Sequence, residues 1–394
     1  MANFYRSLLV LFSWCLLSPA VFSQPGERRP GAQPTNLYRV TRDSISRPSR
    51  VGFIDKTGRL VIGFDQLPGT TVSVGDFYEG RARICVSQAD DHTNNCIVGF
   101  IDETGKVVIG PSFERARDFS EGLAYVEGKG QRGFINREGK LVIRVDQVTD
   151  DVIQASDFHE GRAATLAKNG KWGYIDRRGN LAIKPKYSFV SEFSEGLAGV
   201  VVDRLFGFID QRGEMVIPPR FKPQRGQYTW DGIVGTSRFS EGLACVREGE
   251  LFGYINKRGE FVIPPQFYNA QDFSEGLAWV VSADYKEIGW IDKLGRWAIN
   301  AVNRHNLSPS QPGAYSRFTS FPMIFSEGLA PFAALVRPGY PGHYFRWGYM
   351  DHKGREIIKP QFAYIYPFDG GLAWVTSDEA SGYIDKGGQF VWKK

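Results

Sequence analysis

Nine copies of Gly-(Phe/Tyr/Trp)-(Ile/Met)-(Asp/Asn) run through this chain, each followed three residues after its acid or amide by another Gly; they begin at Gly52, Gly99, Gly133, Gly173, Gly207, Gly253, Gly289, Gly348 and Gly382. Between neighbours stands a second motif, Phe-x-(Glu/Gly)-Gly-(Leu/Arg)-Ala, at Phe77, Phe119, Phe158, Phe193, Phe239, Phe273, Phe325 and Phe368. A period of this length specifies a solenoid, a propeller or a similar array, because one unit alone cannot bury its apolar face.

The segment Phe193 to Pro219 shows how one unit is built. It holds three short runs rich in β-forming residues. Between Ile209 and Met215, the Asp-x-x-Gly spacing predicts a type I turn closed by a left-handed Gly213, with Asp210 accepting turn N–H groups. Pro218 and Pro219 lack ladder donors and end the third strand. No window sustains a period of 3.6. The expected fold is therefore all-β, a tandem array of about nine three-stranded antiparallel units.

Leu37-Tyr38-Arg39-Val40 and Val51-Gly52-Phe53-Ile54-Asp55 match the strands of later units, so the first unit is complete. A propeller that shares one blade between its termini shows a split unit, and none is visible. An open, superhelically twisted array is expected, with a closed propeller-like array as the alternative. The hydrophobic Ile of each copy and the Phe of each second motif are expected in a continuous core. The small Ala82, Ala124, Ala163, Ala198, Ala244, Ala278, Ala330 and Ala373 imply close packing between units.

Residues 1–23 carry Arg6, then an apolar stretch from Leu8 to Phe22, and read as a secretory signal peptide cleaved near Ser23. Ser13, Ser18 and Pro19 interrupt a segment already short for a membrane span, so no stable membrane insertion is expected. Residues 24–36 form a basic flexible leader, and 37–394 form the array as a single domain. The chain is expected to be secreted or periplasmic.

The formal net charge of +5 does not come from the repeats. Of the 48 basic residues, Arg6 lies in the signal segment and Arg28, Arg29, Arg39, Arg42, Arg47 and Arg50 lie in 24–50, beside Glu27 and Asp43 of the 43 acids. Residues 51–394 thus hold 41 of each. That balance argues against a nucleic-acid groove. Cys85 and Cys96 fall on facing strands of one widened hairpin, where a disulfide is geometrically plausible and suits an oxidising compartment. Cys245 reads as a lone strand thiol. Neither the scattered His residues nor the Cys residues make a zinc site, and no other cofactor is implied.

The repeated polar residues read as scaffold. The turn Asp becomes Asn at 136 and 256, which keeps a capping acceptor and discards the charge. The repeated Glu79, Glu121, Glu160, Glu195, Glu241, Glu275 and Glu327, replaced by Gly370 in the last copy, is always followed by Gly, as in a turn. A catalytic group needs one tuned environment, which equivalent carboxylates do not have.

Lys171-Trp172-Gly173-Tyr174-Ile175-Asp176-Arg177-Arg178-Gly179 with Phe193-Ser194-Glu195-Gly196-Leu197-Ala198 resembles the WG-repeat family of bacterial proteins, over nearly all of residues 37–394. The resemblance implies a β-rich repeat scaffold and supplies no catalytic residues.

Function is then sought where the chain departs from its repeat. From turn Gly to the next motif Phe, the connections run 19, 14, 19, 14, 26, 14, 30 and 14 residues, so long and short alternate. The two longest insertions carry the candidate binding residues Arg220, Arg225, Tyr228 and Trp230, and Arg304, Tyr315, Phe318 and Phe321; Tyr340 lies in a widened hairpin of the eighth unit. Aromatic and Arg side chains of this kind form interaction hot spots. The expected function is a non-catalytic exported scaffold that binds a protein or a cell-envelope glycan through these loops. The alternative is a carbohydrate-active enzyme using a carboxylate pair such as Asp231 with a repeat Glu, which needs two carboxyls at a defined separation.

Overall fold

The computed structural model describes residues 37–44, 47–87, 96–128, 130–148, 151–222, 237–300, 323–337 and 344–394. The signal segment and leader lie outside these residues. Each repeat folds as the Asp-x-x-Gly chemistry requires. Leu197–Val202 pairs antiparallel with Leu205–Asp210, which pairs with Met215–Phe221. Asp210 Oδ1 accepts the N–H groups of Arg212 and Glu214, each at 2.9 Å, and the Gly213 N–H returns to the Asp210 carbonyl at 3.0 Å. Gly213 has φ +83°, the left-handed conformation that closes such a turn without a Cβ clash.

The units are wider than three strands in most places. The residues just before the motif Phe add a short first strand, as where Phe189–Val190 pairs with Val200 and Val201. In one place the two roles merge: Phe261–Ala270 is both the last strand of one unit and the first of the next, joining both into a seven-stranded sheet. The Gly that opens each motif has a steric cause. A Cβ on Gly207 would lie 2.5 Å from the Ile217 carbonyl oxygen, because the Pro-bearing third strand crosses its neighbour there at close range.

Units pack through an aromatic ladder. Phe53, Phe100, Tyr174, Phe208 and Tyr254 each set a ring edge-to-face against Phe77, Phe119, Phe193, Phe239 and Phe273 of the next unit, with centroids 4.8–5.0 Å apart. The repeated Ile and Ala positions are buried throughout, as their patterning predicts. The turn Gly of most following units sits on the third-strand Ile of the one before, Gly213 on Ile183 and Gly259 on Ile217 among them.

The same contacts join the last unit to the first, so the array is closed and the open geometry expected from sequence is corrected. Tyr383 packs its ring on Tyr38 at 5.3 Å and donates its hydroxyl to the Arg39 carbonyl at 3.2 Å. Tyr38 in turn donates to the carbonyls of Asp369 and Gly370. Gly58 sits on Val391 as Gly388 sits on Ile358. Tyr38, Val40 and Ile54 share one core cluster with Leu372, Trp374 and Tyr383. Closure between two complete units needs no shared strand, which is why no split unit marks it in the sequence. It also removes the exposed apolar faces that the terminal units of an open array must cap.

Cys85 and Cys96 form the expected disulfide, with Cα atoms 5.5 Å apart on the antiparallel strands Arg81–Ser87 and Cys96–Ile101. Cys245 is free and buried. No helix among the described residues is long and apolar enough to cross a membrane.

Candidate binding surface

The repeated Glu does more than occupy a turn. Glu79, Glu121, Glu160, Glu195, Glu241, Glu275 and Glu327 all adopt φ of 50–54°, where a side chain is rarely found, and the following Gly continues the left-handed turn. The offsetting interaction comes from the neighbouring unit. The Gly122 N–H donates to Glu79 at 2.7 Å, the Gly161 N–H to Glu121 at 3.0 Å, and the Gly328 N–H to Glu275 at 2.9 Å. A cation beside the next turn joins several of these carboxylates: Arg137 with Glu79, Lys257 with Glu195, Lys293 with Glu241 and Lys386 with Glu327, at 3.0–3.1 Å. Each carboxylate is a latch between units. The spacing in sequence identifies the turn but not this partner, which arrives from a unit about 40 residues on.

Serines of the same motif bridge the joints. Ser194 donates to the Phe239 carbonyl, Ser240 to that of Phe273 and Ser274 to that of Phe325, at 2.6–2.7 Å. The early joints add charge pairs: buried Arg39 pairs with Asp76 at 3.0 Å and also donates to the Val74 carbonyl at 2.8 Å, while the partly buried Arg83 pairs with Asp118. At the position of Arg39 and Arg83 later units place Cys245 and Trp279, which are buried. Burial, and then the nearby Asp272, push the Cys245 thiol well up, so it stays protonated and unreactive.

The long insertions start where third strands end and finish at the next motif Phe, and both ends are fixed. Phe221, at the start of the 220–238 segment, and Phe239, directly after it, are fully buried. Met323, at the far end of the second insertion, accepts from Trp290 Nε1 at 2.9 Å and donates its N–H to Gln271 Oε1 at 3.0 Å. Of the candidate binding residues, Arg220 is described. It donates to the Gly259 carbonyl of the next unit and lies over the Phe221 ring at 4.8 Å, so its guanidinium helps hold a joint. Arg225, Tyr228, Trp230, Arg304, Tyr315, Phe318, Phe321 and Tyr340, like Asp231, lie outside the described residues.

One joint departs from the pattern in its own way. Tyr268, at the end of a third strand, meets Tyr285 in the hairpin of the next unit, with ring centroids 4.3 Å apart. Tyr268 lies in a short, near-consensus connection and Tyr285 in a hairpin, neither of which stands out by length. The signal was available: two tyrosines stand where other units have small or charged residues.

The model of the WG containing repeat matches residues 99–130, 172–205, 206–222, 252–284 and 347–379. No curated protein matches the sequence. Among solved structures, the chain is similar to a eukaryotic initiation factor, with a TM-score of 0.55 and 11% identity over 91% of this chain and 96% of that one, a likeness of fold alone. BamB from Moraxella catarrhalis is more distant, with a TM-score of 0.36 and 12% identity over 77% of this chain and 93% of that one.

Proposed function

Starting from a chain of WG-containing repeats, we propose an exported, non-catalytic binding scaffold whose inserted loops in alternate repeats engage a protein or a cell-envelope polymer. The observation that carries this reading is the use made of the repeated carboxylates. They accept backbone N–H groups across the joints, and one partner of the carboxylate pair an enzyme would need is thereby engaged in holding the array together. The closed ring gives the loops a stiff base, since the flanks of both large insertions are buried or hydrogen-bonded. The Cys85–Cys96 disulfide suits an oxidising compartment and so supports export.

The test compares the mature chain, residues 24–394, with a variant whose 220–238 and 300–324 segments are shortened to the 14-residue connection found in alternate repeats. Both are used to capture ligands from envelope and secreted fractions. Partners captured by the parent and lost from a variant that melts normally are the expected outcome. Equal capture by both would reject the loops as the binding element.

A further inference from the structure

The joint at Tyr268 is built from different side chains than the joint before it. Where a third strand ends against the next hairpin, one joint places Lys222 beside Glu250 at 3.4 Å, and Lys222 N–H donates to the Arg247 carbonyl. At the corresponding places in the following joint stand Tyr268 and Lys286, with Tyr285 before Lys286 where Gly249 precedes Glu250. Gly170 and Gly249 take φ of +76° and +61° in their own hairpins; Tyr285 takes +61°. Its N–H donates to the Ser282 carbonyl at 3.0 Å, as the Gly170 N–H donates to Ala167. A bulky aromatic in the left-handed region is a true conformational outlier, and such strain persists where the surroundings impose it.

What Tyr285 gains is its position against Tyr268. The two rings lie 4.3 Å apart at 48°, so Tyr285 supports one side of Tyr268, which remains 45% exposed. The margin of this pair is polar. Asp284 and Lys286 are exposed, with Asp284 held by the Ser282 hydroxyl at 2.7 Å and the Lys286 N–H at 3.1 Å. Asn300 donates to Glu287 at 3.3 Å and brings the end of the third strand to the same hairpin.

We propose that Tyr268, held by the strained Tyr285, is a stacking platform for a pyranose ring of an oligosaccharide, with Asp284 and Lys286 beside the ring hydroxyls. A pyranose has an apolar C–H face and a rim of hydroxyls, and this surface presents a half-exposed aromatic ring backed by a second ring and bordered by hydrogen-bonding charges. A protein partner would need a far larger contact, about 800 Å² on each side, and the hairpin beside Tyr268 offers exposed Ala283, Asp284 and Lys286 instead of an apolar surround. The platform is built from strands and a short hairpin, so it does not rest on the inserted loops.

The experiment titrates the mature chain with chitotetraose, maltotetraose and cellotetraose, read by calorimetry and by saturation transfer to the sugar C–H protons. At least one probe should bind at millimolar concentration or below, and Tyr268→Ala should weaken it about tenfold, the loss of one aromatic stacking contact. Tyr285→Gly should weaken binding while melting no lower than the parent, because Gly accepts the left-handed conformation freely. Binding should persist when the 300–324 segment is shortened, whatever that change does to capture of other partners. The proposal is overturned if no probe binds, if Tyr268→Ala binds as the parent does, if Tyr285→Gly loses stability without losing binding, or if the sugar leaves with the loop.

Discussion

The Tyr38 hydroxyl donates to the Gly370 carbonyl at 2.6 Å, joining two residues 332 positions apart in sequence. Both depart from the repeat. Tyr38 occupies the place of the small Ala, pairing in register with Ile54 as Ala124 pairs with Ile135, and Gly370 replaces the latch Glu. The seam therefore uses an aromatic side chain where seven other joints use a carboxylate. Tyr38→Phe removes the hydrogen bonds and should cost about 1 kcal/mol. Tyr38→Ala also removes the ring that continues the aromatic ladder onto Tyr383, and should cost about 3–5 kcal/mol. Denaturant unfolding measures both. Small-angle scattering of the Ala variant should show a more extended particle, and an unchanged profile and stability would mean the seam does not hold the ring.

The latches at the other joints are open to a similar test. Glu121 accepts the Gly161 N–H at 3.0 Å and sits in a backbone conformation that penalises every non-glycine side chain. Glu121→Ala leaves both the strain and an orphaned N–H, so it should destabilise by about 1–3 kcal/mol, towards the lower end because water reaches the joint. Glu121→Gln keeps an acceptor oxygen and should lose less. Glu121→Gly loses the latch and relieves the turn, so its stability should lie above that of the Ala variant. Thermal melting of the three proteins orders these effects. A different order would place the role of Glu121 elsewhere.

Much of this architecture was readable because it is local. The Asp-x-x-Gly turn, the Pro-terminated third strand and the buried Ile and Ala positions each follow from a few adjacent residues, and Asp210, Gly213, Ile209 and Ala198 occupy the expected places. The relationships that were not readable are long-range. Ring closure depends on Tyr38 meeting Tyr383, and no spacing rule connects them. The partner of Glu79 is a backbone N–H, which has no sequence signature at all. Tyr285 was legible as an aromatic, but its strain appears only once the hairpin places it at a glycine position. Arg220 looked like a loop residue and belongs to a joint, because its carbonyl partner on Gly259 lies in the following unit.

The disulfide stabilises one widened hairpin in the second unit. The bond spans a sequence separation of 11 residues, so the chain entropy it removes from the unfolded state is modest, worth about 2–3 kcal/mol. Both cysteines contact the cluster containing Val98, Phe100 and Phe119, which couples that hairpin to the next unit. Reduction, or the double change Cys85→Ser with Cys96→Ser, should lower the melting temperature without opening the seam. Proteolysis of the reduced protein should begin between residues 87 and 96, and cleavage first elsewhere would show that the disulfide does not protect this hairpin.

Acid sensitivity should follow the turn aspartates. The hydroxyl of Thr57 is the main cause that holds Asp55 at about 2, partly opposed by burial and assisted by the Thr57 N–H and by Arg59. Asp102 and Asp351 are lowered as well, Asp102 chiefly by Thr104, while at Asp351 burial opposes the bonds from Arg355 and Lys353 that prevail. An unfolded Asp titrates near ~3.9. A depressed folded-state value gives stability that is present above that pH and lost as pH falls towards 2. Asn256 makes the same two backbone bonds, and Asn136 one of them, with a side chain that does not titrate. The triple change Asp55→Asn, Asp102→Asn, Asp351→Asn should therefore leave the fold intact at neutral pH and move the acid-unfolding midpoint, followed by circular dichroism, to lower pH. An unmoved midpoint would assign acid unfolding to groups other than the turn aspartates.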